Sequence, residues 1–253
     1  MWLKLIAAAG FALMLSPTLK AAECSAASGP GRVALLELYT SEGCSSCPPA
    51  DRWVSQLSAQ GYTAERVIPL ALHVDYWDYI GWRDRFANPA FSARQREMAR
   101  LGRSTVVYTP QVMINGRDFR NWYSSGSFER QIAELKQEPA RANIQLKLSR
   151  STLDRVDTQV TVSGQKDNLV LYLALYENGL WSNVAAGENS GVKLHHDYVV
   201  REWRGPIRIG DAPLLQTLPI KPDWQSAKTG VVAFLQNAVN GEIVQAVQLK
   251  MCG

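Results

Sequence analysis

The feature of the sequence that most constrains the fold is a pair of cysteines at the point where an apolar stretch gives way to a helix. Residues 33–39 form an apolar run of strand length, residues 41–43 break it, and Cys44 and Cys47 follow. Two prolines come directly after Cys47. Because proline is tolerated only in the first turn of a helix, a helix is predicted to begin at about Cys47. The sequence therefore predicts two cysteines, three residues apart, where a buried strand turns into a helix.

This placement has a chemical consequence for the two thiols. Cysteines three residues apart in a tight turn can bring their Cα atoms to the roughly 5–6 Å that a disulfide needs. The unpaired N–H groups and the positive dipole end of a helix favour a thiolate over a thiol. Cys44 is then expected to be the exposed, attacking sulfur and Cys47 the inner, resolving one. The negative charges of Glu42 and Asp51 act in the opposite direction.

The first 22 residues match a secretory signal peptide. Lys4 is followed by an apolar stretch too short to span a bilayer, and small residues at 21 and 22 indicate a cleavage site. Removing residues 1–22 takes away Lys4 and Lys20, so the formal net charge of +4 falls to +2. That charge is nearly neutral, and no long basic run is present, so nucleic acid is not an expected partner. No other apolar stretch is long enough to cross a membrane, and we predict an exported protein, periplasmic or secreted.

The remaining cysteines fit an exported chain, which meets an oxidising compartment. The spacing favours pairing of Cys44 with Cys47, which leaves Cys24 to pair with Cys252. Chain ends of a domain often lie close together, so a structural bridge between Cys24 and Cys252 is sterically reasonable. The alternative is two unpaired terminal thiols.

Downstream of the first helix, strand and helix patterns continue to alternate. A second buried strand at 67–74 runs into an aromatic and acidic loop at 75–82. A basic amphipathic helix is predicted at 91–101, a strand at 106–114 that ends in an Asn-Gly turn, and a last helix at 127–138. The predicted order is β-α-β-α-β-β-α.

That order, with a Cys-x-x-Cys motif at the first strand-to-helix turn, resembles the thioredoxin fold over residues 32–139. The Thr109–Pro110 pair before a strand resembles the cis-proline element of that superfamily. The resemblance implies that Pro110 is cis and that Thr109 and Pro110 position an incoming peptide or thiol. It also puts Glu37 near the acid with which thioredoxins deprotonate their second cysteine, the alternative being a solvated surface glutamate. The stretches around the cysteines, His73 and Pro110 also resemble a family of exported bacterial thioredoxin-like proteins of unassigned function.

From residue 140 to 253 the pattern changes to period two. Apolar residues alternate with polar ones from Ile144 to Leu148, residues 169–176 form a fuller apolar strand, and two final strands flank Asn240–Gly241. Short strands with turn residues and no convincing helix predict an all-β, sandwich-like (Ig-like) second domain.

Several side chains near the cysteines allow more than one interpretation. Tyr76, Trp77 and Trp82, together with Tyr79, either form a docking surface for a partner chain or cover the core. His73 is a possible third ligand for a thiophilic metal. Adjacent histidines on a strand point to opposite faces, which argues against joint metal binding by His195, His196, Asp197 and Glu188.

The function favoured by the sequence is thiol–disulfide exchange with a protein or a small thiol or disulfide. No cofactor is predicted, no residue is assigned to a metal, and the oligomeric state is left open. The alternatives are a non-catalytic binding module with a structural disulfide, and a copper chaperone.

Overall fold

The computed structural model describes residues 23–252, which form strands and three helices. The signal-peptide prediction falls outside these residues. The strands are β1 Glu23–Ala27, β2 Ala34–Thr40, β3 Val67–His73, β4 Gln111–Ile114, β5 Arg117–Asp118, β6 Ala142–Thr152, β7 Arg155–Gly164, β8 Leu169–Glu177, β9 Leu180–Asn183, β10 Lys193–His196, β11 Val199–Arg208, β12 Leu214–Pro219, β13 Thr229–Asn237 and β14 Ile243–Lys250. The helices are α1 Pro48–Gln56, α2 Pro89–Leu101 and α3 Ser125–Gln137. Within 23–252, no helix is long and apolar enough to cross a membrane.

One eight-stranded sheet, in the order β14-β13-β8-β11-β3-β2-β4-β5, runs through the molecule. β2 and β3 are parallel, and β4 is antiparallel to β2. The two halves of the sheet meet where β11 lies parallel to β3 through the pair Val199 and Ala71. A second sheet, β1-β6-β7-β12, is separate, and β9 and β10 form a hairpin. The chain on either side of residue 139 therefore contributes to the same sheet.

The large sheet is covered on both faces, which explains why every residue of β2 and β3 is buried. α2 covers one face of both halves, packing Phe91 and Met98 with side chains from β2, β3, β8 and β13. On the opposite face, α1 and α3 cover β2, β3 and β4. The four-stranded sheet covers the β8 and β13 half of that same face.

The local predictions are confirmed where the sequence signals are strong. α1 begins at Pro48 with Cys47 as its N-cap, and the helices expected at 91–101 and 127–138 are α2 and α3. The strand expected from 106 begins only at Gln111. β1 and β9–β12 were not predicted. Cys24, in β1, is bonded to Cys252 with a Cα–Cα distance of 5.7 Å, so the terminal disulfide is confirmed.

Candidate functional site

The Cys44–Cys47 pair forms the turn that joins β2 to α1. The two residues are disulfide-bonded with a Cα–Cα distance of 5.4 Å. The N–H of Cys47 donates to the carbonyl of Cys44 at 3.1 Å, and the carbonyl of Cys47 accepts from Asp51 one helical turn later. The intervening Ser45 and Ser46 are exposed. The turn thus presents its two serines outward and its sulfurs inward.

Both sulfurs are covered, contrary to the expectation that Cys44 is exposed. The exposed fraction is 1% for Cys44 and 0% for Cys47. Part of the cover is the loop after β3, which packs on Gly43: a Cβ atom there would lie 3.2 Å from Ile80 Cδ1 and 3.3 Å from Trp77 Cβ. A glycine therefore precedes Cys44 because a side chain would displace this covering loop.

A loop from the second half of the chain, residues 184–192 between β9 and β10, clamps the disulfide turn; we call it the clamp loop. The Asn189 amide donates to the carbonyls of Glu42 at 2.8 Å and Cys44 at 3.0 Å. The Glu188 carboxylate accepts from the Ser45 N–H at 2.9 Å, and that bond lowers the pKa of Glu188. The clamp loop thus fixes the turn through its backbone on both sides of Cys44.

The Thr109–Pro110 peptide bond is cis, as the resemblance implied. Gln111 is paired with Tyr39 across β4 and β2, so Pro110 comes next to the end of β2 from which the disulfide turn starts. The Thr109 hydroxyl accepts a hydrogen bond of 2.7 Å from the Trp77 indole. Thr109 is therefore linked to the loop that covers Gly43.

Three of the four aromatic side chains at 76–82 form hydrogen bonds with other parts of the protein. Tyr76 donates to Gln95 at 3.1 Å, and Trp82 donates to the Glu42 carboxylate at 2.8 Å. Tyr76, Trp77 and Trp82 are half-buried, whereas Tyr79 is 82% exposed. Docking of a partner chain on Tyr76, Trp77 and Trp82 stays a prediction. In the structure, the loop that carries them covers the disulfide turn at Gly43.

Beneath the turn lies a group of buried ionisable side chains, which we call the acid–histidine cluster. His73 Nδ1 lies 2.6 Å from Asp84 Oδ2, and the same oxygen accepts from the Glu42 N–H at 2.9 Å. His196 Nε2 lies 3.5 Å from Glu42 Oε1, and the two imidazole rings are 5.0 Å apart. Asp51, on α1, accepts from Thr40 at 3.2 Å and interacts electrostatically with both histidines. Carboxylates and imidazoles from five segments of the chain thus meet next to the disulfide.

Burial and ion pairing shift the pKa values of the acid–histidine cluster in opposite directions. Burial raises the pKa of Asp51, with the two histidines opposing that rise. Burial also acts to lower the pKa of His73, but the Asp84 carboxylate overcomes this and the pKa is raised. Asp84 in turn has a lowered pKa, because its charge and hydrogen bond with His73 outweigh its own burial. His73 and Asp84 therefore form an ion pair, and Asp51 holds its proton more tightly than an exposed carboxyl does.

Several buried atoms of the acid–histidine cluster have no hydrogen-bond partner among the described residues. They are Glu42 Oε1, His73 Nε2 and both ring nitrogens of His196. Buried polar groups are nearly always paired, so each exception calls for an explanation such as a catalytic role. No metal-binding group of three His, Cys, Asp or Glu side chains occurs in the described part of the chain.

The structure corrects the interpretation of Glu37 as a solvated surface glutamate. Glu37 is fully buried, not solvated, and its partner is the Arg94 guanidinium at 2.5 Å. Its neighbours in β2 that point the same way, Leu35 and Tyr39, pack in the α2 layer, on the sheet face opposite α1. Glu37 is therefore held away from the helix that carries Cys47.

The adjacent histidines of β10 separate as expected for a strand. His195 is half-exposed, contacts the Trp181 ring at a tilt, and lies 3.6 Å from Asp197. His196 turns inward to the acid–histidine cluster, while Glu188 binds the disulfide turn. The structure thus does not bring these four residues together as one ligand set.

Comparison with known proteins identifies a family. A family model described as "protein of unknown function (DUF1223)" matches residues 35–236. The chain belongs to this family. A crystal structure of a protein from Agrobacterium tumefaciens is similar with 26% identity and a TM-score of 0.64, covering 86% of this chain and 94% of that one. A domain of the outer membrane lipoprotein Omp28 from Porphyromonas gingivalis gives a TM-score of 0.30 at 15% identity, over 45% of this chain and 89% of that domain, too low to support an argument. A comparison with the curated proteins found no match.

Two residues of this DUF1223 site, Asn189 and Asp84, were missed from the sequence, and His196 was not connected with the cysteines. Asn189 lies 145 positions from Cys44, so no local pattern connects them. Asp84 follows the aromatic loop without a motif of its own. His196 was noted, but its partner Glu42 is 154 positions away. Only the fold brings them to the disulfide turn.

Proposed function

We propose that this DUF1223 protein is an exported thiol–disulfide oxidoreductase that uses Cys44 and Cys47. The observation that carries the proposal is the acid–histidine cluster beside the disulfide, with buried atoms that lack hydrogen-bond partners. A bridge that only stabilises a turn needs no such cluster, whose burial opposes folding. Perturbed ionisable groups of this kind are concentrated at functional sites.

The topology around the disulfide supports a thioredoxin-like assignment for the first half. β3, β2, β4 and β5 are neighbours in that order, with α1 and α3 on one face and α2 on the other. This is the arrangement that the resemblance implies for residues 32–139. For the second half, the four-stranded sheet packed on β8, β13 and β14 supports a sandwich-like assignment, although these strands belong to the large sheet.

Catalysis then proceeds by thiol–disulfide exchange. In the reduced protein, the Cys44 thiolate attacks one sulfur of a substrate disulfide, and the other substrate sulfur leaves as a thiolate. Cys47 next attacks Cys44, which re-forms the Cys44–Cys47 bond and releases the second substrate thiolate. Two electrons pass from the protein to the substrate, and the reverse sequence oxidises a substrate dithiol. Cys44 occupies the N-terminal side of α1, where the N–H groups favour its thiolate form.

Substrate access requires the cover to move. The clamp loop and the loop at 75–82 leave Ser45 and Ser46 exposed and bury both sulfurs. We infer that a small thiol or an extended peptide reaches Cys44 when the clamp loop opens, and that Thr109 and Pro110 then line the entry. Local opening of this kind is usual for loops at binding sites.

Export is part of the same proposal. It is supported by the signal-peptide pattern of residues 1–22 and by the two disulfides, because stable disulfides persist in oxidising compartments.

The deciding experiment is the reduction potential of the Cys44–Cys47 pair, measured in glutathione buffers by alkylation and mass spectrometry. A value between roughly −120 and −270 mV lies in the range of working oxidoreductases. A value below about −300 mV marks a structural bridge and contradicts the proposal. In cells, the C47A variant is expected to retain partners covalently bound to Cys44, and C44A/C47A is the matched control.

One observation favours a second candidate, a binding module with a structural disulfide. The near-complete burial of both sulfurs is typical of a bridge that does not turn over. The same potential measurement separates the two candidates.

A further inference from the structure

Asp51 lies on α1, one helical turn after Cys47. Its N–H donates to the carbonyl of Cys47 at 3.1 Å, one turn along α1. Side chains four residues apart on a helix lie on the same face, which places the side chains of Cys47 and Asp51 on one face of α1. Cys47 is 0% exposed and Asp51 is 7% exposed.

A buried resolving thiol needs a proton acceptor. The thiolate, and not the thiol, attacks the mixed disulfide, and burial in apolar surroundings keeps the proton on sulfur. Water has no ready access to a fully covered Cys47. Glu37 is engaged by Arg94 on the far side of the sheet, so the acid must come from elsewhere.

We propose that Asp51 accepts the proton of Cys47 as Cys47 attacks the mixed disulfide, and that His196 relays this proton to a cavity between α1 and the β9–β10 hairpin. This inference rests on the proposed thiol–disulfide exchange and adds its proton path.

The Cys47 S–H bond breaks and its proton binds an Asp51 carboxylate oxygen. The sulfur electron pair forms the bond to Cys44 Sγ, while the bond from Cys44 to the substrate sulfur breaks. The substrate leaves as a thiolate and takes a proton from solvent, and Asp51 returns to its charged form by giving its proton to His196.

The exit route is visible as a cavity of about 230 Å³. Pro48, Asp51 and Arg52 of α1 line one side, and residues 192–196 with Trp181 line the other. Asp51 and His196 both reach this cavity, and both ring nitrogens of His196 lack a hydrogen-bond partner among residues 23–252. An imidazole ring can accept a proton on one nitrogen and release it from the other, and Nε2 of His196 lies 3.5 Å from Glu42 Oε1.

The charges around Asp51 suit a reversible acceptor. His73 from β3 and His196 from β10 favour its carboxylate form, and Asp84 opposes it, as does burial. Glu42 faces the two histidines from the disulfide turn. Burial dominates and raises the pKa of Asp51, so this pKa comes closer to that of a thiol. A smaller difference between the two pKa values makes proton transfer from Cys47 to Asp51 easier.

The test uses the full mature chain, reduced and then mixed with glutathione disulfide between pH 5 and 9. Rapid acid quenching and mass spectrometry follow two steps: formation of the Cys44–glutathione mixed disulfide, and its resolution by Cys47. For D51N, resolution at pH 7 should slow at least tenfold, with formation unchanged within about twofold. In D51N, the plot of resolution rate against pH should lose the part that depends on ionisation of Asp51 and should follow ionisation of the Cys47 thiol alone. D51E should restore most of the rate.

The outcomes separate the two proposals. Wild-type resolution rates and an unchanged pH profile in D51N would overturn the proton path and leave thiol–disulfide exchange intact. A wild-type protein that forms no mixed disulfide would overturn the exchange reaction and the proton path with it. If D51N does not fold, H196Q takes its place: slowed resolution with normal formation supports the relay, and unchanged kinetics contradict it.

Discussion

Removing the Asn189 amide tests whether the clamp loop controls access to the disulfide. In N189A, the carbonyls of Glu42 and Cys44 both lose their side-chain donor. Asn189 is 6% exposed, so water does not replace these bonds while the loop stays closed. Two hydrogen bonds at about 1 kcal/mol each predict that opening becomes easier by about 2 kcal/mol. That energy corresponds to a roughly 30-fold larger open fraction.

The assay is the rate at which dithiothreitol reduces each disulfide, read by alkylation and peptide mass. If reduction occurs only from the open state, Cys44–Cys47 should be reduced about 30-fold faster in N189A, while the rate for Cys24–Cys252 stays unchanged. S190A is the matched control, because the Ser190 hydroxyl donates to Ala185 within the same loop and does not touch the disulfide turn. Its rate should stay within about twofold of wild type.

Suppose that N189A lowers the free energy of unfolding by about 2 kcal/mol, but that dithiothreitol reduces its Cys44–Cys47 disulfide at the rate seen in S190A. The clamp loop then does not limit access to the disulfide. The reagent would then reach the sulfurs by another route, and the access step of the proposed reaction would need a different moving part.

Three further predictions concern stability, each measured as a free energy of unfolding in urea. The C24S/C252S variant should lose about 5 kcal/mol in the chain-entropy account, since the bridge closes a sequence separation of 228; a loss below about 1 kcal/mol would contradict that account. E37Q should lose about 3–5 kcal/mol because it leaves the buried Arg94 charge uncompensated, and E37Q/R94M should recover part of this loss. For His73, the folded pKa lies above the unfolded one, so its contribution is complete below about pH 6.5 and is lost as the pH rises through the folded value. The stability gap between wild type and H73Q should therefore shrink above about pH 6.5, and a gap independent of pH would refute the pairing.

The parts of the structure that could be predicted from sequence have short-range causes. Pro48 fixes the start of α1 because proline lacks the N–H that a helix interior needs. The spacing of Cys44 and Cys47 fixes their pairing, which leaves Cys24 for Cys252. The start of α1 and the Cys44–Cys47 pairing are thus each determined by residues within a few positions of where they occur.

The parts that could not be predicted depend on contacts across the fold. A glutamate in an apolar strand is predicted to face solvent, and Glu37 is buried because Arg94 of α2, 57 positions later, binds its carboxylate. The burial of Cys44 depends on Asn189, and the local sequence of the disulfide turn favours an exposed sulfur. The division at residue 139 follows a real change of pattern, yet β11 joins β3 and continues the sheet, because period-two patterning does not say which strand a strand will pair with.

The path of the chain between the two halves has a consequence for proteolysis. β1 precedes β2 in sequence but pairs with β6 of the second half, and its Cys24 is bonded to Cys252. A protease cut in the connection between α3 and β6 would give two fragments that stay joined by this bond and by the shared sheet. The nicked protein should migrate as one species on a non-reducing gel and as two on a reducing gel. Such a cut would not by itself free the amino-terminal half as a separate domain.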